Sequence, residues 1–321
     1  MPTSFHQANI PEFQKLTQEL RLPLALHAPP ALSSPPFLPA QEKWFTPSKD
    51  PSGANSGTLS PYLDDFFYLP FPYELMSPQP LAADQSGAQD AVSLFVDWLS
   101  RQTSPREALL MESILPLKQE LLRPPTSAPS FFQFDAPLSL LLSALAFNRS
   151  SPNTPLRQLY IAQSPIPDLP PQLAADLPTP HIVAKAGKGD IYASSIWIGL
   201  EPTYTPLHRD PNPNLFCQLH GAKVVRLMSP TAGEALFRTV QRKLGKSGSS
   251  RIRLADMMHG PERDLLHTTI WEATGEDTAG ELLETRVGPG DALFIPVGWW
   301  HSVRSEGWEG ALNASVNWWF R

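Results

Sequence analysis

"TPLHRDPNPNLFCQLHGAKVV" (residues 205–225) places His208 two positions before Asp210, Asn214 four positions after it, and Lys223 nine beyond that. On a strand, residues i and i+2 point to the same face, so His208 and Asp210 would project an imidazole and a carboxylate into one cavity. Two such ligands do not complete a catalytic iron site; a 2-His-1-carboxylate facial triad needs a third from elsewhere. Its best source is "GDALFIPVGWWHSV" (290–303), where a strand ending in a Gly-Trp-Trp turn delivers His301. Taken alone, the pair fits equally well an Asx-type turn before Pro211 beside a surface histidine. The surrounding texture has to decide.

That texture is β. "IYASSIWIGL" (191–200), "NLFCQL" (214–219), "KVVRLM" (223–228), "ALFIPV" (292–297) and "NASVNWWF" (313–320) read as short strands. "HG" (220–221) suits a tight hairpin turn, and "GPGD" (288–291) a turn feeding a strand. Many short strands with Gly/Pro turns imply a mainly β, α+β chain built as a sandwich, jelly roll or barrel. Lys223 opens the strand after the hairpin, a place that suits a partner across such a barrel. Asn317 and Trp319 share a face by alternation, so both could look inward.

The first part of the chain is different. Of 37 prolines, 29 fall in residues 1–180, which leaves little room there for long helices or central strands. "HAPPALSSPPFLPAQ" (27–41) and "LLRPPTSAPS" (121–130) read as extended connections, and 47–61 as a flexible loop. Helix candidates sit between them at 90–102, 105–122 and 136–148, the first with Val92, Phe95, Val96 and Leu99 at helical spacing. The expected organisation is a Pro-rich, partly helical region over 1–125 and a catalytic domain over 126–321 interrupted by an insertion at 231–284.

Hydrophobic residues make up 41 % of the 321, enough for a real core, and no apolar run approaches the roughly 20 residues that span a bilayer. The start lacks the pattern of a signal peptide. One cysteine, Cys217, rules out a disulfide framework and a Cys-rich zinc module. A soluble, intracellular monomer of the nucleus or cytoplasm is expected. The net charge of −6 argues against a general nucleic-acid binder.

From "LYIAQSPIPDLP" (159–170), through "WIGLEPTYTPLHRDPNPNLFCQLHGAKVVRLMSP" (197–230), to "GPGDALFIPVGWWHSV" and "SVNWWF", the chain resembles the JmjC-type, cupin-like oxygenases that use Fe(II) and 2-oxoglutarate. Closest in look are the small asparaginyl-hydroxylase-like members. The likeness covers roughly the last half of the chain, and order, spacing and strand context match together. It implies a double-stranded β-helix core and iron ligation by His208, Asp210 and His301. It further implies a 2-oxoglutarate pocket using Thr205, Lys223, Asn214, Tyr160 of the "YIAQ" motif and Asn317, with O2 as the other cosubstrate. Asn313 is a lesser alternative to Asn317. Independently, a buried dicarboxylate needs a cation and hydroxyl donors against its desolvation, and Lys223 supplies the cation. The resemblance departs from the pattern in the long insertion, which puts the two histidines 93 residues apart (301 − 208). The Pro-rich front matches only loosely, around "YLPFPYELM" (68–76), an extended segment expected to line the substrate cleft.

The remaining polar residues have plainer readings. His259 and His267 read as loop or surface residues, His220 as a turn residue, Cys217 as core, and "KAGKGD" (185–190) as a turn. Trp299 and Trp300 read as packing around the site mouth, where one could touch substrate. Arg238, Arg242, Lys243, Lys246, Arg251 and Arg253 form a charge run with no acid before Asp256, chiefly a solvated face and alternatively a contact with RNA or an acidic protein partner. The function expected is stable hydroxylation of a protein side chain. Hydroxylation of a tRNA base, lysine demethylation and a non-catalytic cupin-like binding module are the alternatives.

Overall fold

Apolar alternation and turn residues cut the chain into short strands. The computed structural model describes residues 10–27, 38–46, 57–77, 91–102, 110–112, 114, 130–245, 260–272 and 282–321. Among these residues the strands are β1 (Leu24–Leu26), β2 (Phe45–Thr46), β3 (Thr58–Leu59), β4 (Pro70–Ser77), β5 (Ser130–Pro137), β6 (Leu159–Pro165) and β7 (Ile191–Leu200). They continue with β8 (Tyr204–Arg209), β9 (Asn214–His220), β10 (Lys223–Met228), β11 (Leu283–Val287), β12 (Ala292–Ile295), β13 (Trp300–Ser305) and β14 (Leu312–Phe320). A large sheet has the order β1-β12-β9-β14-β7-β6-β4-β5, and a smaller one β11-β10-β13-β8. From β7 onward the chain crosses between the two sheets at nearly every turn, the jelly-roll arrangement expected from the sequence.

One expectation is corrected. "HG" does not close a hairpin: β9 pairs with β12 and β14, whereas β10 pairs with β11 and β13. The turn is a corner that carries the chain from one sheet to the other. Gly221 makes it possible, with φ +68 and an added Cβ only 2.7 Å from the Asn313 amide nitrogen. "GPGD" is likewise a corner, between β11 and β12.

β14 shows how sequence and layers connect. Its even positions, Leu312, Ala314, Val316, Trp318 and Phe320, join the large apolar cluster on the outer side of the large sheet. Helices Ser139–Ser150 and His181–Ala186 contribute to that cluster, as does Ala91–Ser100 through Val92, Phe95, Val96 and Leu99. Its odd positions, Ser315, Asn317 and Trp319, line a cavity on the other side. The expected helix at 105–122 lies largely outside the described residues, although Leu110 and Ile114 are buried.

The Pro-rich front does contribute one internal strand. β4 lies between β5 and β6, although it contains Pro70 and Pro72. The reason is register: β6 pairs only with Tyr73, Glu74 and Leu75, past the prolines.

The 231–284 segment opens as helix Pro230–Lys243. Ser229 caps it, its hydroxyl accepting from the Ala232 N–H, and Pro230 occupies the first turn. Phe237 and Val240 pack with Leu207, Met228 and Trp300 on the outer face of the small sheet. The covering residues also include Leu266 and Ile270, from Pro261–His267 and Thr268–Glu272. No helix among the described residues is long and apolar enough to cross a membrane.

Candidate metal centre and its cavity

Alternation on two neighbouring strands of the small sheet aims both histidines inward. On β8, Leu207 faces the covering helix and His208 the interior; on β13, Trp300 faces the helix and His301 the interior. The register places His301 directly opposite His208, with ring centroids 4.0 Å apart. Asp210 stands just past the end of β8, where its carboxylate oxygens lie 3.8 Å from His208 Nε2 and 3.7 Å from His301 Nε2. One ligand atom from each of the three residues falls within 4.8 Å of the others.

The atoms around them fit a metal. His208 Nδ1 meets the Pro206 carbonyl at 2.8 Å and His301 Nδ1 the Trp299 carbonyl at 3.3 Å. Carbonyl partners favour the proton on Nδ1, which leaves each Nε2 lone pair for coordination. Asp210 Oδ2 accepts from Trp319 Nε1 at 2.7 Å and Asn214 Nδ2 at 3.0 Å. Asn214 in turn accepts from Asn317 at 2.7 Å. Burial acts to raise the pKa of Asp210, but the two imidazoles and these N–H donors hold it below the usual value. Two nitrogens and one carboxylate form the donor set of non-haem Fe(II) oxygenases.

The triad lies in a cavity of about 220 Å³. Tyr160, Thr205, His208, Asp210, Asn214, Lys223, His301 and Asn317, all singled out from the sequence, line it together. Asn313 does not; it is fully buried behind the wall, bonded to Glu201, Gln218 and the Ala222 carbonyl. Lys223 is 3 % exposed, and its ammonium donates to Ser315 Oγ at 2.8 Å and Tyr160 Oη at 3.1 Å. Burial pushes its pKa down from 10.5 to about 7, with Glu201 pulling the other way. A buried ammonium bonded to two hydroxyls, with no carboxylate within ion-pair reach among the described residues, suits an incoming carboxylate. Residues 123–321 match the family model described as a cupin-like domain, well over half of the chain.

The chain belongs to the cupin-like, JmjC-type family. It is 29 % identical over 182 residues to Lysine-specific demethylase JMJ30 of Arabidopsis thaliana, covering 57 % of this chain and 37 % of that one. It is 29 % identical over 162 residues to Lysine-specific demethylase 8 of Danio rerio (50 % and 36 %). It is also 29 % identical over 163 residues to Jumonji C domain-containing protein 5 of Drosophila melanogaster (50 % and 36 %). The chain thus spans little more than a third of the length of these relatives. They support the JmjC family without singling out its asparaginyl-hydroxylase group. The JmjC family uses Fe(II) and 2-oxoglutarate, and the His208–Asp210–His301 set suits that iron.

Sequence reasoning missed one hydrogen-bond partner of Lys223 in this JmjC domain and the contact made by another inward-facing residue. Ser315 was unremarkable, yet it makes the shorter bond to Lys223; alternation from Asn317 would have found it. Alternation predicts that Trp319 faces inward, but its bond to Asp210 depends on β14 pairing with β9, which no local pattern gives. The two consecutive tryptophans do pack, but neither lines the cavity. Trp300 is fully buried beneath helix Pro230–Lys243, and Trp299 lies in a separate apolar cluster with its indole N–H on the Arg21 carbonyl.

The other polar candidates make structural contacts where they are described. His220 stacks on Phe45, and Cys217 is buried. His267, expected in a loop or on the surface, instead ends helix Pro261–His267 half-buried, where it packs against Tyr204 and pairs with Glu272. "KAGKGD" is the end of a short helix and a turn into β7. Arg238 pairs with Glu234 and Arg242 with Thr239, while Lys246, Arg251, Arg253 and His259 lie outside the described residues.

Proposed function

We propose that this chain is an Fe(II)- and 2-oxoglutarate-dependent oxygenase that hydroxylates a side chain of a protein. The observation that carries the reading is a single cavity holding a two-histidine, one-carboxylate set together with a buried lysine flanked by hydroxyls. His208, Asp210 and His301 would hold the iron. Lys223, Tyr160 and Ser315 would take the distal carboxylate of 2-oxoglutarate, with Thr205 as a further hydroxyl in the same wall. When bound, iron and 2-oxoglutarate supply the oxidation of a C–H bond by O2, the keto acid leaving as succinate and CO2. The protein's own task is positioning. Trp319 and Asn214 hold one oxygen of Asp210, Asn317 holds Asn214, and Phe216, Val225 and Val303 give the cavity apolar walls that limit water.

A second reading is removal of an N-methyl group from lysine, favoured by the names of two of the relatives. The oxidation is the same; the hydroxylated methyl then leaves as formaldehyde. The setting proposed for either is an intracellular monomer, in the nucleus or cytoplasm. The test is to incubate the full chain with Fe(II), 2-oxoglutarate and candidate peptides, then measure succinate, formaldehyde and peptide mass. Succinate with a mass gain of one oxygen supports hydroxylation. Formaldehyde in proportion to succinate from a methylated peptide would replace it with demethylation. Turnover stimulated only by tRNA would overturn the protein substrate.

A further inference from the structure

Beside the metal cavity lies a larger cleft of about 700 Å³, walled by β4, β5, β6, β7 and the turn after β6. The two are contiguous, sharing Gln163, Tyr192 and Ala193 in their walls. The charge of the cleft has one sign: Glu74, Asp135 and Asp168 line it, and no Lys, Arg or His does so among the described residues. Asp135 and Asp168 are exposed and have no cationic partner among the described residues. Tyr192, at the junction with the metal cavity, is 61 % exposed.

We propose that this cleft seats a segment of substrate polypeptide bearing a Lys or Arg side chain close to the residue that enters the metal cavity. The inference deepens the oxygenase reading and rests on it. Size argues for a polymer. The small cosubstrate has its own cavity, whereas four adjacent strands at ~4.8 Å spacing span roughly 14 Å, the length of about four extended residues. Chemistry argues for a cation. An open cleft with carboxylates on several walls attracts an ammonium or guanidinium and fixes its register. The exposed face of Tyr192 adds a cation–π surface. The same lining repels nucleic-acid phosphates, so this face favours a protein over RNA.

The test uses the full-length chain and three fluorescent probes in anisotropy titrations: a short peptide containing Lys and Arg, the same peptide with Gln in their place, and an oligouridylate of similar length. The Lys/Arg peptide should bind, weaken with added salt, and lose about tenfold in affinity for the Asp135→Asn, Asp168→Asn double variant. Both sites are exposed, so the variant should melt like wild type, and its melting curve is recorded alongside. Equal affinity for the Gln peptide, preference for the oligouridylate, or unchanged binding by the double variant would each overturn the proposal. Conversion of 2-oxoglutarate to succinate by the wild-type chain is measured separately. Its absence, with charge-dependent peptide binding intact, would overturn the oxygenase reading and leave the cleft's role standing.

Discussion

Replacing Lys223 by methionine should stabilise the protein while removing most of its affinity for 2-oxoglutarate. The wild-type ammonium is 3 % exposed and has only Ser315 and Tyr160 hydroxyls within hydrogen-bond reach among the described residues. Burial lowers its pKa from 10.5 to about 7, against the opposing pull of Glu201. The folded-state value is therefore below the unfolded one. Between about pH 7 and pH 10.5 the unfolded chain keeps the proton that the folded chain has lost, so stability rises with pH across that window. Below about pH 7 the cost of the buried charge is fully present, on the order of 3–5 kcal/mol at about 1.4 kcal/mol per pKa unit. Methionine has a similar reach without charge, and loss of the bonds to the two hydroxyls costs roughly 1 kcal/mol each. A net gain of about 1–3 kcal/mol is left, seen as a melting temperature higher by a few degrees near neutral pH. The lost charge-assisted contact is worth about 1.5–3 kcal/mol, or roughly ten- to a hundredfold in 2-oxoglutarate affinity, measured by calorimetric titration of metal-loaded protein. For wild type, binding above about pH 7 should take up a proton and weaken as pH rises, because the charged lysine is the form that pairs. A variant that is less stable than wild type, or that binds 2-oxoglutarate equally well, would refute this account of the pocket.

Three further outcomes follow from the same geometry. His301→Ala should abolish 2-oxoglutarate turnover, and near-normal succinate formation would show that the three-residue set is not the metal site. Trp319→Phe removes one of two N–H donors to Asp210 Oδ2 and should weaken metal binding by about tenfold, read by metal titration, with little change in melting. Unchanged metal affinity would mean that Asp210 is oriented without it. Gly233→Ala drives a Cβ into the Trp300 indole, next to His301, and should cost at least about 1–3 kcal/mol in denaturant unfolding. A neutral result would mean that the helix over the small sheet moves away at no cost.

How much of this was legible in the residues depends on distance along the chain. The period of two on single strands is a local property. It was enough to predict the β texture, the pairing of His208 with Asp210 and the shared face of Asn317 and Trp319. Asp210 itself comes just after β8 ends, so its carboxylate comes near His208 through a turn and not through strand geometry. Strand pairing is a different matter. Nothing near Gly221 tells a hairpin from a corner between sheets, because both need a tight turn with positive φ; only the partners of β9 and β10 separate them. Nor do neighbouring residues tell that prolines at one end of β4 leave its other end free to pair with β6. The sequence by itself determined which side chains could serve as ligands and cation, and which face the strand residues among them occupy. Tertiary structure alone decided that His301 lies opposite His208, that Trp319 reaches Asp210, and that an acidic cleft adjoins the metal cavity. Each of those facts depends on register between strands far apart in sequence, which is set by the packing of whole sheets.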